Sequence, residues 1–375
     1  MRINIAASHR FHLLDLAREL ASLGHEVRFY SYVPTKRAMK FGLQKENSFS
    51  LYWMMLPFLA LYKLSKGANW SVKLKNQALD FLVSKLMKPC DVYIALGTVY
   101  KNSLLVAKNK HKAITILEWG SKHIIEQEIA IATATHAKKQ DDYFIKRSID
   151  GYELADYIAI PAEHVELSFL KHGIHKNKLL VNPYGVDLSM FKPTTLNQDK
   201  NYDVIMVGNW SYTKGCDFIV NALNGIDISF LHVGSIAGLA FPEYENFTHI
   251  DAVDQSELIH YYAKAKVFLL PSRTEGLAMV QAQAIACGLP IICSENTGGR
   301  DLRNFISDKK WVIELEDMDK ETIIKTIQQA LLLVFSDNKQ RNYVGQDIQK
   351  LSWKSYGKRY DFHLIEIEKF FSSSR

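Results

Sequence analysis

The stretch "RTEGLAMVQAQAIACGLP", residues 273–290, lies between two short apolar runs, "VFLLP" (267–271) and "PIICS" (290–294). Runs that short and that apolar read as strands covered on both faces, as in a parallel sheet. The residues between them suit one helix, starting near Leu277 and running to about Cys287. Gly288 ends it and Pro290 starts the next strand. In an open parallel sheet, ligands collect beyond the carboxyl ends of the strands. "SRTEG" (272–276) stands at such an end. A helix start leaves backbone N–H groups unpaired and carries a partial positive charge, which suits a phosphate. Gly276 is expected to let a bulky ligand approach the backbone. Glu275 either caps the helix or accepts hydrogen bonds from hydroxyls beside the phosphate.

The same unit recurs outward from this point. "RINIAA", "FHLLDLARELASLG" and "HEVRFYSY" give strand, helix and strand, with Gly24 as the helix stop. "DVYIALG", "AITILEW" and "DYIAIP" add three strands. Past residue 195 the pattern restarts with "YDVIMVG", "DISFLHVG", "THIDAV", "KVFLLP", "PIICS" and "KWVIEL". The expected fold class is therefore α/β, with two Rossmann-like domains facing a cleft. The expected boundaries are 1–195, 196–352 and a final helix, 353–375, with aromatics on one face, packing back toward the first domain. The junction falls in the polar stretch 192–203, "KPTTLNQDKNYD".

Length and composition agree with this organisation. A chain of 375 residues is long for one core, and 47% hydrophobic with 23% charged residues is globular. Net charge is unevenly shared. Residues 1–195 hold 27 Lys+Arg against 17 Asp+Glu, and the remainder holds 19 against 23. The basic first half implies an anionic partner. No nucleic-acid motif is present, so a membrane leaflet or an anionic acceptor fits better. Residues 49–64, "FSLYWMMLPFLALYKL", are apolar but too short to span a bilayer, and they contain Pro57. With Lys63, Lys66, Lys73 and Lys75 nearby, they read either as a membrane-surface helix or as a core helix with a basic edge. Cys90, Cys216, Cys287 and Cys293 have no metal-ligand spacing, so a reducing cytoplasmic setting is expected, at the inner face of the membrane if the contact exists. "MRINIAASHRF" reads as a strand start rather than a signal peptide.

A second loop carries chemistry. In "VGNWSYTKGCDFIVNAL", a strand, a loop with a Lys-Gly pair and a helix follow one another. Lys214 would put a point charge at a strand's carboxyl end, on the same side as Glu275. An ammonium there offsets charge on a leaving diphosphate. A phosphate site beside a hydroxyl-binding carboxylate suits a nucleotide sugar.

At these residues the chain resembles the retaining, nucleotide-sugar-dependent glycosyltransferases of GT-B fold in the large family four, or group 1, set. The resemblance rests on "NPYGVDLSMF" (182–191), "VGNWSYTKGCDF" (207–218), residues 249–299, "GYELADYIAIPAEHVELSFLKHGI" (151–174) and, more weakly, "GHEVRFYS" (24–31). It implies that Lys214 contacts the donor diphosphate, and that the backbone N–H groups of Leu277 and Ala278 hold phosphate or sugar oxygens. Glu275 then binds the sugar's hydroxyls, and the stretch around Val253 lines the base pocket. It also implies retention of anomeric configuration and no cofactor or metal beyond the nucleotide-sugar co-substrate. No carboxylate pair suited to Mg²⁺ is seen. The acceptor is expected to be a glycan or lipid-linked.

The chain departs from the family pattern at several positions. Gln283 stands where the family has a second glutamate touching the ribose, which weakens that contact. Asn209 replaces an arginine, and Arg273 is the expected compensation. His9 and Arg10, in "ASHRFH", either reach the phosphates or stay at the surface. Glu118 takes the place of a histidine near the sugar, either as a polar partner or paired with a lysine. Trp119 and His123 are candidates for sugar or acceptor contact. Two other readings stay open: a weakly active or inactive scaffold, and a sugar-nucleotide epimerase or hydrolase of the same architecture. A nicotinamide enzyme is disfavoured, because no G-x-G-x-x-G follows the first strand.

Overall fold

The computed structural model describes residues 1–132, 140–193, 201–336 and 346–373. Of the expected junction, residues 194–200 lie outside the described residues.

Two parallel sheets organise the chain. The first holds β1 (Arg2–Ala6), β2 (Glu26–Ser31), β3 (Ser48–Ser50), β4 (Val92–Leu96), β5 (Ile114–Glu118), β6 (Tyr157–Ile160) and β7 (Leu179–Val181). The second holds β8 (Tyr202–Val207), β9 (Phe230–Val233), β10 (Phe247–Ile250), β11 (Ala265–Leu270), β12 (Ile291–Cys293) and β13 (Val312–Glu314). Their orders are β3-β2-β1-β4-β5-β6-β7 and β10-β9-β8-β11-β12-β13. Each reverses direction once, between β1 and β4 and between β8 and β11. Those switch points open a crevice at the carboxyl ends of the strands. The apolar runs read from the sequence are the sheet interiors. Val267, Phe268, Leu269 and Leu270 of β11 are fully buried, each contributing roughly 1.5–3 kcal/mol. The helix after β11 is Met279–Ala286, so Leu277 and Ala278 precede it rather than open it.

The final helix, Trp353–Ser373, lies along the first helix, Phe11–Ser22, and so returns to the first domain. Tyr356, Tyr360, Leu364 and Ile367 form its buried stripe, at helical spacing. Its aromatics are not confined to that face, since Phe362 and Phe370 point outward. Polar contacts fix its register. Asp361 accepts from His25 at 2.8 Å, and Arg359 donates to Asn182 Oδ1 at 2.9 Å and to the Pro183 carbonyl at 2.7 Å.

Residues 52–64 form one helix through Pro57, packed on the helix Asn69–Leu86. Asp80 of the second helix is fully buried. It accepts from the N–H groups of Lys101, Asn102 and Ser103 and from Arg147, so it caps the following helix, Asn102–Asn109. No helix among the described residues is long and apolar enough to cross a membrane.

Gly215 shows why the Lys-Gly pair needs its glycine. Its φ is +71°, and a Cβ would collide with the Pro271 carbonyl at the end of β11. We expect Gly215→Ala to lower stability by about 1–3 kcal/mol, measured as the shift of the urea midpoint. An unchanged midpoint would show that the loop does not press on β11.

Candidate functional site

The crevice between the two sheets is a cleft of about 920 Å³. The loops after β1, β4 and β5 line one side, and those after β8 and β11 line the other.

On the second-domain side, the loops after β8 and β11 are tied together. Arg273 N–H and Ser272 Oγ both donate to the Thr213 carbonyl, at 2.9 and 3.0 Å. Ser294 Oγ donates to the Ser272 carbonyl at 2.6 Å, and Glu275 N–H to the Asn296 carbonyl at 3.0 Å. This lacing sets Lys214 against Glu275, and the two form an ion pair at the cleft wall. Burial pushes the Lys214 ammonium down to about 8. At that value the ammonium is still mostly protonated at neutral pH, facing Glu275. Leu277 and Ala278, just ahead of the helix Met279–Ala286, line the cleft beside this pair. Among the described residues, their N–H groups take no backbone partner. Asn209 follows Gly208, whose φ of +133° suits glycine, and it also lines the cleft.

On the first-domain side, Glu118 ends β5 with only 2% of its surface exposed. Its Oε2 meets His12 Nε2 at 2.9 Å, and its Oε1 is buried without a partner. The His12 ring stacks on Tyr184 at 4.3 Å. Glu118 is thus paired with a histidine, not with the lysine considered from sequence. His9 lines the cleft, where burial, then Lys75, lowers its imidazole below the usual range. Arg10 lies over the Phe41 ring at 3.7 Å and donates to Gln255 Oε1 at 3.3 Å, reaching across to the second domain.

Several expected contacts fall elsewhere. Arg273 does not reach the cleft. Its guanidinium is bidentate to Asp217 at 2.7 and 2.6 Å and donates to the Tyr212 carbonyl, so it cannot compensate for Asn209. Gln283 is 3% exposed and accepts from the Tyr262 hydroxyl at 3.3 Å, facing the core instead of a ribose. Val253 packs its side chain against the core, while Gln255 of the same stretch lines the cleft. His123 is buried, stacked on His172 at 4.3 Å, and burial drives it down to about 4. Trp119 touches the cleft, but its ring is packed on Gly97 and edge-on to Tyr152, leaving little face for a sugar. Gly276 is not open to a ligand. The Gly120 carbonyl occupies the place a Cβ would take.

Other groups at the site had no role assigned from sequence. His12 sits in the quoted "ASHRFH", one turn past the residues singled out there. Lys122 donates to Asn296 Oδ1 at 2.5 Å, joining the domains. His164 Nε2 donates to the Glu275 carbonyl at 2.8 Å, which leaves Nδ1 buried and unpartnered. Burial, then Lys122 and Arg300, pushes His164 down to about 3, so it bonds as a neutral ring. "IPAEHVEL" contained it, but only the fold brings it 111 residues along the chain to that carbonyl.

Residues 201–332 match the family model for glycosyl transferases group 1. The chain has the GT-B arrangement of two facing Rossmann-like domains, and its second domain carries the match to the group 1 glycosyl transferases. An uncharacterised glycosyltransferase of Methanocaldococcus jannaschii is 25% identical over 190 residues, 47% of this chain and 52% of that protein. D-inositol 3-phosphate glycosyltransferase of Paenarthrobacter aurescens is 27% identical over 211 residues, 46% of this chain and 50% of that protein. The chain spans about half the length of the curated relatives it matches. Among solved structures, sucrose-phosphate synthase of Thermosynechococcus elongatus superposes with TM-score 0.66 at 15% identity, covering 100% of both chains. Anabaena HepE, solved with UDP and glucose, superposes with TM-score 0.63 at 14% identity, covering 98% of this chain and 100% of that one. These likenesses show the fold, two facing parallel sheets.

The Lys214 environment predicts a pH dependence. An ammonium attracts a diphosphate only while protonated, so nucleoside diphosphate affinity should fall as pH rises through about 8. Lys214→Arg keeps its charge and should flatten that fall. Calorimetry across the range measures both. A native profile that does not weaken above pH 8 would place the diphosphate away from Lys214.

Proposed function

We propose that this chain transfers a glycosyl group from a nucleotide sugar to a glycan or lipid-linked acceptor, with retention and without a metal. The observation that carries the reading is the wall where Lys214, Glu275 and the open N–H groups of Leu277 and Ala278 meet, across the cleft from Glu118 and His12. A pyrophosphate suits the ammonium and the amides together. As Lys214 turns to phosphate, Glu275 is released to accept hydroxyls of the sugar. Asn209 supplies a neutral polar contact where a charged one is absent, and the buried Glu118–His12 pair forms a second polar wall.

The retaining step we propose uses that placement. The acceptor hydroxyl enters on the face that the leaving phosphate vacates, and a phosphate oxygen takes its proton. The new C–O bond forms as the old one breaks, and the nucleoside diphosphate carries away the electron pair. The chain's own work is positioning and stabilising the leaving diphosphate. The relatives support the class of substrates. HepE was solved with UDP and glucose, and a Corynebacterium glutamicum relative is named a GDP-mannose-dependent mannosyltransferase acting on a phosphatidylinositol monomannoside. Among the described residues, no group of three or more His, Cys, Asp or Glu could hold a metal ion. The four cysteines are free and buried, each thiol pushed up to about 12 mainly by burial, and we place the chain in a reducing cytoplasm.

Screening nucleotide sugars by thermal shift identifies the donor, and NMR of the product reports the anomer. Turnover should survive a chelator, and Lys214→Ala should cost about 2–4 kcal/mol of barrier. Undiminished turnover in that variant would sink the assignment. Donor binding with no product under any acceptor would favour the scaffold reading instead.

A further inference from the structure

The helix Tyr52–Leu64 has only one charged residue, Lys63, yet it is not enclosed. Its inner side packs Met55, Phe58 and Leu59 on the first domain. Its outer stripe, at helical spacing, is Trp53, Pro57, Ala60 and Leu64. Trp53 is 79% exposed and Leu64 81%. The partner helix Asn69–Leu86 carries an exposed apolar stripe of its own, Trp70, Leu74 and Phe81, at helical spacing. Grouped exposed apolar side chains of this size mark an interaction surface.

Charge selects the occupant. Residues 51–90 hold six lysines and one acidic residue, Asp80, which is buried and bonded to Arg147. Lys63, Lys66, Lys85 and Lys88 are exposed around the apolar stripes. Indole rings and leucines ringed by lysines suit an interface of acyl chains and anionic headgroups. A second copy docking through the same face would bring these lysines against their own copies, which disfavours self-association. The position of the surface also fits. Val72, Lys75 and Asn76, on the opposite side of the helix Asn69–Leu86, line the cleft. One helix is therefore both the wall of the cleft and part of the exposed surface.

We propose that the outer face of these two helices docks on an anionic lipid bilayer and holds the cleft beside a lipid-linked acceptor. The acceptor half of this statement rests on the transfer reading above; the docking half does not.

The test is flotation of the full chain with vesicles of phosphatidylcholine alone or of equimolar phosphatidylcholine and phosphatidylglycerol. The chain should bind the anionic vesicles and release as salt is raised. The exposed triple variant Trp53→Ser, Leu64→Ser, Trp70→Ser should lose at least about tenfold in partitioning. Its thermal shift with nucleoside diphosphate should match that of the native chain, which shows that it is folded. No binding to anionic vesicles, or equal binding by the variant, overturns the proposal. Concentration-dependent self-association that the variant abolishes also overturns it, and assigns the face to a second copy. Vesicle binding in a chain that transfers no sugar leaves docking standing and sinks the transfer reading alone.

Discussion

The arrangement of the cleft depends on two glycines pressed together across the domain junction. Gly276 meets the carbonyl of Gly120 where any side chain would collide. This contact lets the loop after β11 lie directly on the loop after β5, so that Glu275 and Glu118 line the same cavity. Around it, Lys122 holds Asn296, the Glu163 N–H donates to Asp301 at 2.8 Å, and Gly298 packs on Ala162. These are short contacts with little area for solvent between them, so the two domains close on a defined geometry.

The fold was legible because parallel strands buried on both faces leave a nearly pure apolar signature. "VFLLP" and "DVYIALG" could be little else, and the restart after residue 195 doubled the pattern. The edge strands β3 and β7 were not legible. Each is three residues long, and "SFS" carries no hydrophobic signal because it lies at the rim of its sheet. The first turn after Gly276 was misplaced for a related reason. Ala278 has extended backbone, and nothing in "GLAM" distinguishes an extended approach from a helix start.

The site was legible where the backbone itself dictates a role, and obscure where a side chain has a choice. Gly215 and Gly208 could be read as loop glycines, and they place Lys214 and Asn209 as the strand ends require. Arg273 had two calls on its charge, and the bidentate bond to Asp217 with a ring beneath it at 4.0 Å outweighs a distant phosphate. Gln283 and His123 show the same limit. Each is polar, each sits near the motif in sequence, and each is turned inward by a partner, Tyr262 or His172, that only tertiary packing supplies. His12 and His164 were missed for the converse reason: their partners are 106 and 111 residues away along the chain.

The bond from His164 to the main chain of residue 275 links two events that otherwise look separate. The ring belongs to one lobe and the carbonyl to the other, so the bond exists only while the lobes are shut. Parting them removes the tether from the peptide that carries the Glu275 carboxylate, while the lacing to Thr213 and Asn296 stays within its own lobe. The contact between the lobes therefore also steadies the main chain that carries the Glu275 carboxylate.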